Sequence, residues 1–120
     1  MTHHLIALSS APGSKAVEQH FGRTDRFQIY SLNKEGYQFI ETRLVEPCCS
    51  GGEHVISAFD SVLAVLSGCE AVVVGKIGTG ASDYLNEKGM KVFVTQGYIE
   101  DVLEELHRNQ DRYFPPENNK

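Results

Sequence analysis

Apolar positions along this 120-residue chain change their period several times, and each change marks an element. Leu5-Ile6-Ala7-Leu8 is a short continuous run, the pattern of a buried strand. A polar loop follows from Ser9 to about Glu18. Arg26 to Leu32 and Tyr37 to Val45 read as two strands joined by Asn33-Lys34-Glu35-Gly36, a hairpin-type connection. The second of them alternates in part, with Ile40 and Leu44 on one face and Glu41 and Arg43 on the other. Glu46-Pro47-Cys48-Cys49-Ser50-Gly51-Gly52 is a loop by composition. Helical spacing takes over from His54 to Ser67 in Val55, Phe59, Val62, Leu63 and Leu66, and Gly68 suits its C-terminal end. Ala71-Val72-Val73-Val74 is apolar on both faces, as a central parallel strand must be. A short helix is predicted over 81–87, ending near Gly89, and a strand over 92–94. The last helix carries Ile99, Val102, Leu103 and Leu106 at i, i+3, i+4 and i+7.

A hairpin followed by right-handed α/β crossovers predicts a single α/β domain with a mixed five-stranded sheet, in the order 3-2-1-4-5, flanked by helices. The domain is assigned to residues 1–112, and 113–120, with Pro115-Pro116-Glu117-Asn118-Asn119-Lys120, reads as a disordered tail. In this topology the chain leaves the first strand and the Val72 strand in opposite directions. Their carboxyl ends then form a topological switch point, the usual ligand crevice of an open α/β sheet.

Composition bounds the function classes. Apolar residues make up 41% and charged residues 22%, ordinary values for a globular domain. No apolar run approaches a membrane span and no signal-peptide core follows Met1, so a cytoplasmic location is the default expectation. A formal charge of −5 argues against broad nucleic-acid binding, although Lys15, Arg23, Arg26 and Lys76 fall in or near the two crevice loops. Glu100, Asp101, Glu104 and Glu105 read as the solvated face of the last helix. Three cysteines, two of them adjacent, make a poor disulfide framework.

Two motifs carry candidate chemistry, and both belong to loops at the switch point. His20-Phe21-Gly22-Arg23 offers one imidazole beside a glycine that permits close backbone approach and a cationic side chain. Gly75-Lys76-Ile77-Gly78-Thr79-Gly80 joins the central strand to a helix, so backbone N–H groups and the helix dipole can face an anion, with Lys76 adding charge. The Gly-Lys-Ser/Thr ending of a P-loop is absent. One soft-metal ligand and several anion donors point to holding an anionic metal cluster rather than to bond-breaking chemistry. Neutral imidazole suits an exposed metal of a preformed cluster. The plainer readings are a surface histidine and an ordinary strand-to-helix turn. Phe21 is read first as core, with shielding of a cluster as its second role. Cys48 and Cys49 are further candidate soft ligands, or else inert exposed thiols. Cys69 reads as a small core residue, and His3, His4 and His107 as structural or solvated.

The segment from Ile6 to Tyr30, with His20-Phe21-Gly22 and Arg26-Phe27-Gln28-Ile29-Tyr30, resembles the nitrogenase iron–molybdenum cofactor biosynthesis family. The likeness continues through Gly75-Lys76-Ile77-Gly78-Thr79-Gly80 and the strand–helix ending from Gly89 to Leu106. It implies a ribonuclease-H-like three-layer fold and non-covalent binding of the iron–molybdenum cofactor or its iron–sulfur precursor, for storage or delivery and without catalysis. The family's metal-contacting histidine corresponds to His20. Phe21, Gly22, Arg23, Lys76, Gly78, Thr79 and Gly80 would complete the cofactor contacts. Cluster-assembly proteins or apo-nitrogenase are the implied partners. Because the family also includes orange protein, a molybdenum–copper sulfide cluster is an alternative cargo. The three-cysteine radical-enzyme motif of full-length NifB is lacking, which favours a carrier over a cluster builder. Two other functions compete. A ribonuclease-type nuclease would need converging carboxylates for two metal ions, and Asp25, Asp60 and Asp83 form no obvious cluster in the sequence. A small-anion or nucleotide-binding regulatory module would use the same glycine turn with little dependence on His20.

Overall fold

Alternation along the two central strands dictates the layers. The computed structural model describes residues 4–10, 16–17, 21, 24–45 and 56–114. Its elements are β1 (His4–Ser9), β2 (Arg26–Asn33), β3 (Gly36–Leu44), α1 (Ile56–Val65), β4 (Ala71–Val74), α2 (Thr79–Glu87), β5 (Lys91–Val94), α3 (Ile99–Arg108) and α4 (Gln110–Tyr113). The five strands lie in the order β3-β2-β1-β4-β5, as predicted. β1 is antiparallel to β2 and parallel to β4, and β4 is parallel to β5.

Both sheet faces are covered, which is why β4 reads as an unbroken apolar run. Ala7, Phe27, Ile29, Val72 and Val74 face Phe59, Val62 and Leu66 of the first helix layer and Ala81 and Leu85 of α2. Ile6, Leu8, Ala71 and Val73 face Ile99, Leu103 and Leu106 of α3. Gly68 and Gly89, at φ +87° and +92°, turn the chain out of the two helices that precede β4 and β5.

Three features depart from expectation. The β2–β3 register passes from Ile29–Glu41 to Tyr30–Phe39, so Ile40 is an extra residue in a bulge. The bulge takes Ile40 out of phase with Leu44, and both are exposed on the edge strand at 47% and 69%. Next, α2 begins at Thr79 rather than at residue 81, with Gly78 as its N-cap. Finally, the ordered domain passes the expected boundary at 112. Tyr113 ends α4, and Phe114 is 5% exposed, stacked on the His4 ring at 4.7 Å and edge-on to Phe93. Its aromatic surface closes the α3 side of the core, a tertiary gain that the polar sequence around it conceals. His4 is structural, as read: its Nδ1 lies 2.9 Å from a carboxylate oxygen of Glu70.

Candidate functional site

The carboxyl ends of β1 and β4 lie side by side because these strands are parallel neighbours, so the loops leaving them must share one edge. A set of polar contacts fixes the loop after β1 to that edge. Gln28 is 7% exposed, and its Nε2 donates to the Ser10 carbonyl at 3.1 Å. Thr42 Oγ1 donates to Gln28 Oε1 at 2.7 Å, and Ser10 Oγ donates to the Ala16 carbonyl at 2.9 Å. Farther along, Ala16 bridges to Tyr98, and the Val17 amide donates to the Gly97 carbonyl at 2.9 Å. Buried polar groups need such partners, and these contacts fix Ser10, Ala16 and Val17 at one sheet edge.

The decisive contact comes next. The Phe21 amide donates to the Lys76 carbonyl at 2.8 Å, and the Thr24 amide closes back onto the Phe21 carbonyl at 3.2 Å. Phe21 itself is 2% exposed, and its ring packs 6.5 Å from that of Phe59. The ring is therefore part of the core, the first of its two readings, while its backbone amide ties Phe21 to the glycine-rich loop at Lys76. Phe21 and Lys76, one residue from each predicted motif, thus meet at one edge.

Lys76, Gly78, Thr79 and Gly80 are exposed. Gly78 caps α2 without a side-chain cap hydrogen bond, and the first turn holds no acidic residue. Among the described residues, a Cβ built at Gly78 or Gly80 would meet nothing within 4 Å, and neither glycine has a positive φ. Neither packing nor backbone strain demands glycine there, so these residues leave space over the amide groups of a helix N-terminus. Arg26, at the start of β2, is engaged by Asp25 at 3.1 Å.

Other candidates fall elsewhere. His20, Gly22, Arg23, Cys48 and Cys49 lie outside the described residues, as does Lys15. Cys69 is half-buried beside the first core cluster, and burial raises its thiol pKa. Asp60 accepts a hydrogen bond from the Tyr84 hydroxyl, which raises the Tyr84 pKa. Among the described residues no three His, Cys, Asp or Glu side chains gather as a metal site. Gln28 and Thr42 were not singled out by the sequence. An amide within an otherwise apolar strand, one residue from Phe27 and Ile29, was the available signal.

A family model described as dinitrogenase iron-molybdenum cofactor matches residues 3–109. The chain belongs to this dinitrogenase iron-molybdenum cofactor family. It is 32% identical over 107 residues to the FeMo cofactor biosynthesis protein NifB of Sinorhizobium fredii, covering 88% of this chain and 22% of that protein. To the protein of the same name from Herbaspirillum seropedicae it is 31% identical over 121 residues, covering 92% of this chain and 23% of that protein. The chain thus spans less than a quarter of the length of these curated relatives. Among solved structures, the crystal structure of PH0822 shares the fold at a TM-score of 0.67 and 24% identity, covering 87% of this chain and 88% of that one. The NMR structure of a Thermotoga protein does so at 0.58 and 16%, covering 98% of each chain. Both confirm the three-layer arrangement around a five-stranded sheet. In this family member the matched region includes both crevice loops.

Proposed function

We propose that this protein acts in iron–molybdenum cofactor biosynthesis by binding the cofactor, or its iron–sulfur precursor, non-covalently and holding it for storage or delivery. The Phe21–Lys76 hydrogen bond carries this reading. It holds the residue after His20 against the loop that continues into the open Gly78-Thr79-Gly80 turn. An imidazole can ligate an exposed cluster metal, while Lys76 and the α2 amides offset the charge of sulfides and carboxylates. Gly22 and Arg23, beside His20 in sequence, are further cofactor contacts in this reading, Phe21 contributes through its backbone, and Cys48 and Cys49 are reserve soft ligands. The cluster is cargo, no bond is made or broken in it, and the protein is not an enzyme. Its partners are the proteins that give and receive the cluster, such as cluster-assembly proteins or apo-nitrogenase, in the cytoplasm. A molybdenum–copper sulfide cluster would use the same donors.

Anaerobic titration of the native protein with isolated cofactor, followed by gel filtration and iron analysis, tests this reading. Stoichiometric iron in the protein fraction is the expected result. Failure to retain iron, together with retention of a nucleotide or inorganic phosphate, would replace it with the anion-binding module that the open α2 N-terminus also suits.

A further inference from the structure

The edge strand β3 is nine residues long, and it exposes Phe39, Ile40 and Leu44 at 49%, 47% and 69%. A long apolar edge is a template for another strand, and proteins usually blunt it with charges or bulges. Here the charges and the bulge complement a second copy of the same strand. Val45 N–H donates to the Asp25 carbonyl. Ladder alternation then directs the backbone of Arg43 and Val45 toward β2 and that of Thr42 and Leu44 outward.

We infer that two copies of this chain pair antiparallel through β3, about a two-fold axis at Thr42, joining their sheets into one ten-stranded sheet. In that register Glu41 of each copy faces Arg43 of the other, so the ion pair already present within the chain, 2.8 Å between Arg43 Nε and Glu41 Oε2, becomes an alternating four-charge square. Counting along an unbroken strand would set Leu44 opposite Ile40, but the bulge takes Ile40 out of that register. With Ile40 removed from the ladder by the bulge, Leu44 meets Phe39 of the second copy, apolar against apolar. Phe39 is already held in place by the Tyr30 ring, 5.5 Å away and edge-on. A two-fold interface requires such self-complementarity. The antiparallel pairing sends the two carboxyl-edge crevices to opposite ends, and both stay open.

Sedimentation equilibrium on the native chain, Leu44→Lys and Phe39→Glu, separately and as an equimolar mixture of the two variants, tests this. The native chain should be dimeric, and each variant alone should self-associate at least about tenfold more weakly, because each places a charge against an apolar partner. The mixture should recover a dimer, since one contact remains Phe39–Leu44 and the other sets the introduced lysine against the introduced carboxylate. That recovery also shows that both variants are folded. A native chain that stays monomeric up to about 100 µM overturns the inference. So does a native dimer unaffected by either substitution, or a mixture that remains monomeric.

Discussion

The amide of Phe21 donates a 2.8 Å hydrogen bond to the carbonyl of Lys76, joining two loops that are remote from each other in the chain. Each loop is informative for a different reason, one for its imidazole and the other for its bare amides. Their junction comes from parallel pairing of β1 and β4, and the buried Phe21 ring locks it from below.

Glycine at position 80 serves no packing purpose, so Gly80→Ala separates folding from binding. Alanine in the first turn of α2 should stabilise the protein by about 0.5–1 kcal/mol, since φ there is not positive. Its methyl group would add bulk in the first turn of α2, beside the amides proposed to receive the cluster, and cofactor uptake should weaken. Thermal melts and anaerobic titration of the same preparation check both halves. Unchanged uptake would remove the glycine turn from the site.

Gln28→Leu should cost roughly 2 kcal/mol, because the buried Ser10 carbonyl loses the hydrogen bond that Gln28 donates. The loosened loop should show in hydrogen exchange, with the Val17 and Phe21 amides losing protection while amides of β4 keep theirs. Equal loss across the sheet would instead make Gln28 an ordinary core residue.

Phe114→Ala should destabilise the domain by about 3 kcal/mol, the cost of removing a buried aromatic ring. Urea denaturation measures it. A change below about 0.5 kcal/mol would return this residue to the tail, where the sequence alone had placed it.

Alkaline pH should weaken the fold through Tyr84 and Tyr113. Hydrogen bonds to the carboxylates of Asp60 and Glu105 raise their pKa values above the ordinary phenol. The contribution of these phenols is therefore complete below the unfolded value of about 10 and lost as pH rises through the folded values. Tyr84→Phe and Tyr113→Phe should each flatten the alkaline limb of a plot of Tm against pH.

The central layers were legible because burial on both faces writes itself as the unbroken runs Leu5–Leu8 and Ala71–Val74. Sheet order came from handedness and the hairpin. The bulge at Ile40 was not legible: a strand with one extra residue has the same composition as one without it. The start of α2 was missed for a related reason. Thr79 and Gly80 are weak helix formers, and the stronger helical pattern from Ala81 onward draws them into the first turn. Phe114 was hidden because its partners His4 and Phe93 are remote in sequence. At the crevice, the clasp of Gln28, Ser10 and Thr42 was not legible, because it needed the register of three strands.

Cluster uptake by His20→Ala bears most directly on the central claim. Native protein and variant would be titrated anaerobically with the isolated cofactor, with iron measured after gel filtration and the melting temperature of each recorded. Uptake that falls by about tenfold or more at an unchanged melting temperature is the predicted result, as expected for loss of a metal ligand. Equal uptake by both proteins would contradict His20 as the ligand at this crevice.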